Sequence, residues 1–430
     1  MRILLIAHDY PPSESPQALR WRYLVRELVG GGHDVTVLSA ALPGASPFRG
    51  RGDHGEFIHA VAPVGFYPWL LRTVRNLRAR ANVTVDGPAE GGASLNWRGR
   101  LHAAGNRAIA LFRFPDGGAG WIGPAARVLR DMLAGARPDL VITSHEPCAG
   151  LVLWLSERPA GVKWVADLGD PVLSDYVPAR WRRRAHRLEA DMFRLADRVV
   201  VTNESTRDLL FRRHGTRAGV EVLPQGFDPA DCVPLQAGSA DPSAPLRILY
   251  TGRFYAFRTG RALFEAVAAT PGVVLEVATT GMTRLLSSFL KHHPQSFRLL
   301  GALSHQQTMA AQCARDVLVC IGNDNPVQTP GKVFEYLGSG RPILYLRQSA
   351  SDPAGAWVER IGRGWQCAND ARSVADSLRL LRERKVHGQL EQGLDLTIGA
   401  VASESWASRG RKLVSLCEDL RAHSPRTAMP

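Results

Sequence analysis

Short apolar strands alternate with helical stretches along nearly the whole of this 430-residue chain. The first repeat of the pattern begins with the apolar residues 3–7 and continues through a proline-rich loop into a helical pattern. Glycines 30–32 end that helix, and the apolar residues 35–38 follow it. A strand, a helix and a second strand in this order form a βαβ unit, which predicts an α/β fold built on a parallel sheet.

The pattern recurs on both sides of residues 226–245, which are rich in glycine and proline and are typical of an interdomain linker. Further strands are predicted at 139–143, 163–167, 198–202 and 220–224 before this linker, and at 246–250, 273–277, 297–300, 317–321 and 342–346 after it. Because the chain is too long for one compact core, we predict two tandem doubly wound domains, 1–225 and 246–402. Residues 403–430 are predicted to form a C-terminal helix that returns to the first domain.

The chain carries a formal charge of +13 and has a pI of about 10.0. This balance favours anionic partners: nucleic acid, an acidic membrane surface or phosphorylated ligands. The six cysteines form no Cys-x-x-Cys pair, so the sequence predicts neither a zinc ribbon nor a redox motif. Scattered cysteines, the early His8–Asp9 and the lack of a long apolar run predict a cytoplasmic protein without a signal peptide or a spanning helix.

Two segments combine arginines with aromatic residues. Residues 66–80 interleave four arginines with phenylalanine, tyrosine and tryptophan, and residues 180–184 read Arg-Trp-Arg-Arg-Arg. A basic, aromatic helix can lie in an anionic lipid interface, so 66–80 is a candidate membrane-contact segment at the inner face of the cytoplasmic membrane. The alternative is a helix or surface whose arginine face is simply solvated, and both interpretations apply to both segments.

One cluster with binding chemistry lies between 329 and 342, where Pro330 and Gly331 indicate a helix start. Lys332 and Glu335 are three residues apart and therefore share one helix face. Free N–H groups, the helix dipole and the lysine suit a phosphate, while the glutamate can accept two hydrogen bonds from a ribose. An ordinary surface salt bridge between the two side chains is the alternative.

A second cluster directly follows the predicted strand 246–250. Gly252 allows a ligand to approach the backbone closely, and Arg253 and Arg258 supply fork-shaped donors that match phosphate oxygens. In the first domain, His8, His145 and Asp170 follow predicted strands, and ligands of open α/β sheets bind just past the carboxyl ends of strands. Packing or loop capping is the alternative for His145, and capping of the next helix is the alternative for Asp170.

Taken together, these motifs resemble family-4 glycosyltransferases of the two-domain GT-B fold, also called group 1 glycosyltransferases. The resemblance covers nearly the whole chain. It rests on the Pro11–Pro12 loop, Gly-His-Asp-Val at 32–35, Ala-Asp-Arg-Val-Val-Val-Thr-Asn at 196–203, Leu-Pro-Gln-Gly-Phe-Asp at 223–228 and the 332–342 block. It implies two Rossmann-like domains that face a cleft.

The resemblance also implies roles for individual residues. Gly252, Arg253, Arg258, Lys332 and Glu335 are expected to bind the donor, a nucleotide-diphosphate sugar, with Arg253 and Lys332 also acting catalytically on its diphosphate. His145, in a His-Glu-Pro sequence, is expected to lie beside the transferring sugar as a third catalytic residue. Pro12, Ser13, His145 and Asp170 are expected to bind a glycan or lipid-linked acceptor.

The sequence departs from the family pattern at three positions. Arg258 stands where a lysine is usual, Val327 stands where many members have a second glutamate, and Gly169 replaces an arginine in an Asp-x-Arg-Asp-Pro sequence. No Asp-x-Asp sequence is present, in keeping with a GT-B site that uses no metal and no cofactor.

We therefore expect a retaining, metal-independent hexosyltransferase of cell-surface polysaccharide or glycoconjugate biosynthesis. Two alternatives stay open. A nucleotide-sugar 2-epimerase shares the fold but needs acidic residues for proton transfer, and no convincing set is evident. A basic nucleic-acid-binding protein is motivated only by the charge, without zinc-finger or RNP-like motifs, so we expect no nucleic-acid partner. A Rossmann dehydrogenase is excluded because no Gly-x-Gly-x-x-Gly follows the first strand.

Overall fold

The computed structural model describes residues 1–42, 44–64, 114–231, 243–255, 258–325, 327, 329–350 and 352–422. The segment 66–80 therefore lies outside the described residues. The described chain divides into two compact units: the N-terminal unit holds the residues up to Gln225 and those from Trp406 onward, and the C-terminal unit holds Gly226–Ser405.

The N-terminal unit is built on an eight-stranded sheet. Its strands are β1 (Arg2–Ile6), β2 (Asp34–Ala40), β3 (Phe48–Arg51), β4 (Phe57–Val61), β5 (Leu140–His145), β6 (Lys163–Leu168), β7 (Arg198–Val201) and β8 (Val220–Val222). The order is β3-β4-β2-β1-β5-β6-β7-β8, and every neighbouring pair is parallel except β3 with β4. The sequence pattern predicts neither β3 nor β4.

Helices separate most of the consecutive strands in this part of the chain. They are α1 (Pro16–Gly30), α2 (Ala119–Gly135), α3 (Ala149–Glu157), α4 (Arg182–Leu195) and α5 (Glu204–His214). The start of α1 is determined locally: the Ser15 side chain accepts a hydrogen bond from the Ala18 N–H (3.1 Å), and Pro16 occupies the first turn. Its residues Ala18, Trp21, Leu24, Val25 and Leu28 are buried in the core that it shares with the sheet.

The C-terminal unit has a six-stranded, all-parallel sheet in the order β11-β10-β9-β12-β13-β14. Its strands are β9 (Leu246–Thr251), β10 (Val273–Ala278), β11 (Phe297–Gly301), β12 (Val317–Ile321), β13 (Ile343–Arg347) and β14 (Gly364–Ala368). Its described helices are α6 (Arg261–Ala268), α7 (Arg284–His292), α8 (His305–Cys313), α9 (Lys332–Gly338), α10 (Pro353–Arg360) and α11 (Ala371–Val386). Both sheets have the doubly wound form that the sequence predicts.

The last described helix, α12 (Trp406–Ala422), belongs to the N-terminal unit and packs on α1. The Trp406 ring stacks on Tyr23 with 5.5 Å between centroids, and Gly410 is so close to Glu27 that a Cβ there would overlap its side chain. The helix begins at Trp406 rather than at 403, because residues 399–404 form a 3₁₀ helix that is assigned to the C-terminal unit.

A buried ion pair ties three parts of the N-terminal unit together. Arg20 of α1 is fully buried and donates to both carboxylate oxygens of Asp167 on β6, from Nη2 at 2.7 Å and from Nε at 3.1 Å. Its remaining donors reach the carbonyl oxygens of Leu223 (3.0 Å) and Pro224 (3.1 Å). Every charge in this contact is paired, which is the condition under which a buried ion pair is tolerated.

We predict that Asp167→Asn destabilises the N-terminal unit by about 3–5 kcal/mol, because Arg20 then keeps a buried charge without a counterion. Chemical denaturation followed by tryptophan fluorescence measures the loss, since Trp21, Trp121, Trp154 and Trp164 are buried in this unit. The control is Asp376→Asn, which breaks an exposed pair with Arg379 and should change stability by less than about 1 kcal/mol. Equal losses in the two variants would contradict the prediction.

Candidate donor and acceptor sites at the strand ends

In each unit, the first strand lies in the interior of the sheet and the chain winds away from it in both directions. β1 lies between β2 and β5, and β9 lies between β10 and β12. The loops that follow β1 and β5 therefore diverge, as do the loops that follow β9 and β12. Such switch points are where open α/β sheets bind ligands.

The loop after β9 begins with a backbone conformation that favours glycine. Gly252 has φ = 141°, and its N–H donates to the Ala278 carbonyl at 3.0 Å. The next residue, Arg253, is exposed, and its Nε donates to Thr280 Oγ1 at 2.7 Å. Thr280 follows β10, so two neighbouring strand ends together orient the Arg253 guanidinium.

Arg258 is oriented from the other side of the switch point. Its Nε donates to Asn323 Oδ1 at 3.0 Å, and its Nη2 contacts the same oxygen. Asn323 is buried and lies two residues after β12. The loops after β9 and β12 are thus joined at the switch point by this arginine.

Lys332 and Glu335 lie on α9 and form an ion pair with 2.6 Å between Nζ and Oε2, so the salt bridge that was the alternative interpretation is present. The lysine side chain is 36% exposed and the glutamate 19%, which leaves both accessible. Tyr336, the next residue, places them: its hydroxyl accepts from the Thr251 N–H at 3.1 Å. Because Thr251 ends β9, α9 is held against the strand end that carries Gly252.

A histidine that the sequence analysis did not single out also belongs to this edge. His305 begins α8 just after β11, and its Nε2–H donates to Asp231 Oδ2 at 3.0 Å. This hydrogen bond raises the pKa of His305 above its ordinary value; burial opposes the rise, and the charge of Glu335 supports it. His305 therefore contributes positive charge to the surroundings of Lys332 and Glu335 over a wider pH range than an isolated histidine.

At the end of β1 in the N-terminal unit, the His8 Nδ1–H donates to Asp9 Oδ1 at 2.7 Å. The His8 ring meets Trp121 edge-on with 5.4 Å between centroids, which fixes the ring plane. Burial alone would raise the pKa of Asp9, but the hydrogen bond and charge of His8 outweigh it and hold the pKa below its ordinary value.

Pro12 and Ser13 lie in the same loop as His8, before α1. The Ser13 N–H donates to the Tyr10 carbonyl at 3.1 Å, and Ser13 Oγ accepts from the Ser15 N–H at 3.4 Å. Pro12 is exposed. The loop is thus internally braced while its tip faces solvent.

His145 ends β5 and is 5% exposed. Its carbonyl accepts hydrogen bonds from Gln17 Nε2 (2.5 Å) and from the Gly169 N–H (2.6 Å), whereas its Nδ1 has no hydrogen-bond partner among the described residues. Gln17 also occupies the space beside Gly169, where a Cβ would lie 2.3 Å from the glutamine nitrogen. An arginine at 169, as in the family pattern, does not fit beside Gln17 as it stands.

Asp116 joins the loop before α2 to the loop after β5. Its carboxylate accepts from the Cys148 N–H at 2.5 Å and from the Gly118 N–H at 2.9 Å. Burial raises the pKa of Asp116, and these hydrogen bonds and the charges of His145 and His8 only partly offset that rise. The Asp116 carboxylate thus lies within electrostatic reach of both strand-end histidines.

Asp170 does not cap the next helix, because α4 begins only at Arg182 and has no side-chain cap. Instead, its Oδ2 accepts from the Tyr176 hydroxyl at 3.2 Å, and the same hydroxyl contacts Glu146. Burial, together with the nearby Glu146 and Asp170 charges, raises the pKa of Tyr176. The loops after β5 and β6 therefore meet through this tyrosine.

The structure brings the predicted residues together as two sets, one at the strand ends of each unit. Gly252, Arg253, Arg258, Lys332 and Glu335 form the set of the C-terminal unit, and Pro12, Ser13, His145 and Asp170 that of the N-terminal unit. Of the residues that sequence reasoning missed, Asn323 could have been found because it follows a predicted strand. Asp116 gave no such signal, since no predicted strand precedes it.

The described residues contain no group of three or more histidine, cysteine, aspartate or glutamate side chains arranged to hold a metal ion. None of their helices has both the length and the apolar character needed to span a bilayer.

Comparison with known proteins identifies the class of this architecture. Residues 17–226 match the family profile of the glycosyl transferase 4-like domain. The structure is similar over 99% of the chain to sucrose-phosphate synthase from Thermosynechococcus elongatus, all of which is covered, at 16% identity and a TM-score of 0.68. It is similar over 98% of the chain to all of Anabaena HepE in complex with UDP-glucose, at 14% identity and a TM-score of 0.59.

A third similar structure, a candidate UDP-N-acetylglucosamine 2-epimerase from Listeria monocytogenes, has 12% identity and a TM-score of 0.53, covering 99% of this chain and 98% of that one. No curated protein sequence matches the chain. The structural similarities establish the fold, and the domain match establishes a glycosyltransferase 4-like domain. The predictions of an α/β GT-B fold and of a glycosyltransferase enzyme are thereby confirmed.

We predict that Asp231→Asn lowers the melting temperature more at about pH 5.5 than at about pH 8.5. The folded pKa of His305 is raised, so the stabilisation is complete below the unfolded value of 6.5 and is lost as the pH rises through the folded pKa. Thermal melts of both proteins at the two pH values provide the measurement. Asp376→Asn, which breaks an exposed pair with an arginine instead of a histidine, should show no such pH dependence; an equal loss for Asp231→Asn at both pH values would refute the linkage.

Proposed function

We propose that this protein transfers a hexose from a nucleoside-diphosphate sugar to a glycan or lipid-linked acceptor, with retention of configuration and without a metal ion. The observation that carries the proposal is the cationic set at the strand ends of the C-terminal unit. Arg253, Arg258 and Lys332 supply the positive charge, Gly252 the open backbone and Glu335 the hydroxyl-binding carboxylate. The UDP-glucose complex of the structurally similar HepE supports a nucleotide-sugar donor.

The donor diphosphate would bind to the three cations. Arg253 donates a hydrogen bond to Thr280 and Arg258 donates one to Asn323, so both arginines lose little conformational freedom on binding. Lys332 is paired with Glu335 in the structure. When a diphosphate binds, the lysine turns to the phosphate oxygens and the carboxylate becomes available to the ribose hydroxyls.

The acceptor would bind to the strand ends of the N-terminal unit. His145 offers a buried ring nitrogen that has no partner in the described part of the chain and can hydrogen-bond the transferring sugar or the acceptor. Asp170 can accept from acceptor hydroxyl groups, and its link to Tyr176 limits its motion. The loop containing Pro12 and Ser13 completes this side.

In the proposed reaction, the bond between the anomeric carbon and the leaving phosphate oxygen breaks, and an acceptor hydroxyl attacks the same face of the sugar. The departing phosphate oxygen takes the hydroxyl proton, so the products are a glycoside and a nucleoside diphosphate. Arg253, Arg258 and Lys332 stabilise the negative charge that develops on the diphosphate, which in other enzymes is the role of a divalent metal.

We further propose that the product is a cell-surface polysaccharide or glycoconjugate made in the cytoplasm. A peripheral membrane location through residues 66–80 stays a prediction, because that segment lies outside the described residues. The epimerase alternative is tested directly by incubating the protein with the donor alone and following the sugar nucleotide by NMR. An epimerase would produce an epimerised sugar nucleotide and would transfer no sugar.

A thermal-shift panel of UDP-, GDP-, ADP- and dTDP-sugars tests the donor site, since a ligand that binds only the folded state raises the melting temperature. We expect one base to give a clear shift. No shift with any of the four, together with salt-dependent binding to DNA, would favour the nucleic-acid alternative instead.

We predict that Lys332→Ala and Glu335→Ala each lower the rate of transfer by about two orders of magnitude or more, because each removes a contact to the donor in the transition state. Initial rates with the donor identified by the panel provide the measurement. The matched control is the exposed i, i+3 pair Asp376–Arg379, whose alanine variants should keep the native rate. Near-native turnover in either site variant would count against the proposed donor site.

We also predict that a chelator leaves the transfer rate unchanged within about twofold, because the cationic side chains take the role of the metal. The measurement compares rates after dialysis against EDTA with rates after added Mg²⁺ or Mn²⁺. A rate that disappears with EDTA and returns with either ion would overturn the metal-independent mechanism.

A further inference from the structure

The N-terminal unit exposes a dense arginine cluster at residues 180–187, five of whose eight residues are arginines. We call the arginines of this segment, with Trp181 and Phe114, the arginine patch. Arg180, Arg182, Arg183, Arg184 and Arg187 are all exposed. Within the described chain, no carboxylate forms an ion pair with Arg182, Arg183, Arg184 or Arg187, so most of this charge is not neutralised locally.

The arginine patch lies at the N-terminal end of α4, where positively charged side chains destabilise a helix. Arg182, Arg183 and Arg184 form the first turn of α4, which has no acidic residue in that turn and no side-chain N-cap. The N-terminal end of a helix carries partial positive charge and favours acidic side chains, so three cations there repel the dipole and one another. The stability of α4 therefore does not explain this arrangement, whereas an external anionic partner does.

Aromatic rings lie among these charges. The Arg180 guanidinium lies 4.7 Å from the Trp181 ring centroid, and Arg184 lies 4.4 Å from the Phe114 centroid. The Phe114 and Trp181 rings are 5.6 Å apart, and Trp181 is only half-buried. Half-buried tryptophan flanked by long basic side chains is the composition that lies at the boundary between lipid headgroups and acyl chains. A free phosphate or nucleotide needs no such aromatic layer.

The patch lies at the edge of the sheet that carries the proposed acceptor residues. α4 follows the carboxyl end of β6 and runs back beside the sheet. The C-terminal end of α4 leads to Asp197, whose N–H donates to the Trp164 carbonyl (2.9 Å) near the start of β6. The N-terminal end of α4, which carries the arginines, therefore lies toward the carboxyl end of β6, where Asp170 and Tyr176 also lie. Tyr176 is itself 59% exposed.

We propose that the arginine patch docks the N-terminal unit on an anionic phospholipid surface and thereby presents the edge with His145 and Asp170 to an acceptor held in the membrane. The docking itself is independent of the reaction. The assignment of a lipid-anchored rather than a free acceptor rests on the proposed function.

The test is sedimentation of the full chain with vesicles of phosphatidylglycerol and phosphatidylcholine, compared with phosphatidylcholine alone. We expect the Arg182→Ala, Arg183→Ala, Arg184→Ala triple variant to bind the anionic vesicles about 100-fold more weakly, a few-fold for each basic residue near the surface. Alanine is a good helix former, so α4 should remain folded, and a thermal melt verifies this.

The matched control removes the same charge elsewhere. Arg298, Arg360 and Arg372 are exposed arginines of the C-terminal unit, and their triple alanine variant should bind within about threefold of the native chain. Trp181→Ala should weaken binding to anionic vesicles but not to heparin, because only the membrane offers an apolar layer. Lys332→Ala should bind vesicles normally, which separates failure of docking from failure of the donor site.

Three results would overturn the proposal. Equal weakening by the patch and control triples would mean that only net charge matters. Unchanged binding in the patch triple, with loss in an Arg72→Ala, Arg75→Ala, Arg78→Ala variant, would place the contact in the 66–80 segment. Loss of heparin and vesicle binding in parallel, without any effect of Trp181→Ala, would indicate a soluble polyanion as the partner.

Discussion

The buried contact between Arg20 and Asp167 organises the strand-end region of the N-terminal unit. Gln17 lies one turn before Arg20 on the same face of α1 and donates to the His145 carbonyl, while Arg20 holds Asp167, three residues before Asp170. One helix face thus positions both loops that carry the proposed acceptor residues. The same arginine reaches the Leu223 and Pro224 carbonyls, so the segment that leads to the C-terminal unit is held as well.

Helix α9 of the C-terminal unit carries both candidate donor-binding residues and a residue that anchors the helix to the sheet. Lys332 and Glu335 of α9 face outward, whereas Tyr336 is buried and its hydroxyl meets Thr251 at the end of β9. Gly338 lies against the Phe227 ring, where a Cβ would approach within 2.6 Å. Two motifs more than 100 residues apart, at 223–228 and 332–342, are therefore linked by packing.

Arginines have three different roles in this protein that composition cannot distinguish. Arg20 is buried and structural, Arg253 and Arg258 are oriented by neutral hydrogen-bond acceptors at a strand edge, and Arg182–Arg184 are exposed at a helix start. A neutral partner leaves the guanidinium charge free to act on a ligand, whereas a carboxylate partner cancels it. The surroundings of each arginine, rather than the net charge of +13, carry the functional information.

The sequence alone determined the α/β class, the position of almost every strand in the regular repeats and the residues that follow those strands. These features depend on short-range periodicity and turn chemistry, which neighbouring residues specify. It did not reveal β3, β4, β14 or the partners of the site residues. Only the tertiary structure decided that Asp170 meets Tyr176 instead of capping a helix, that Asn323 orients Arg258, and that Asp116 joins the loop before α2 to the loop after β5. Such pairings join residues from 6 to 65 positions apart, and their energy depends on burial and geometry that a linear pattern does not contain.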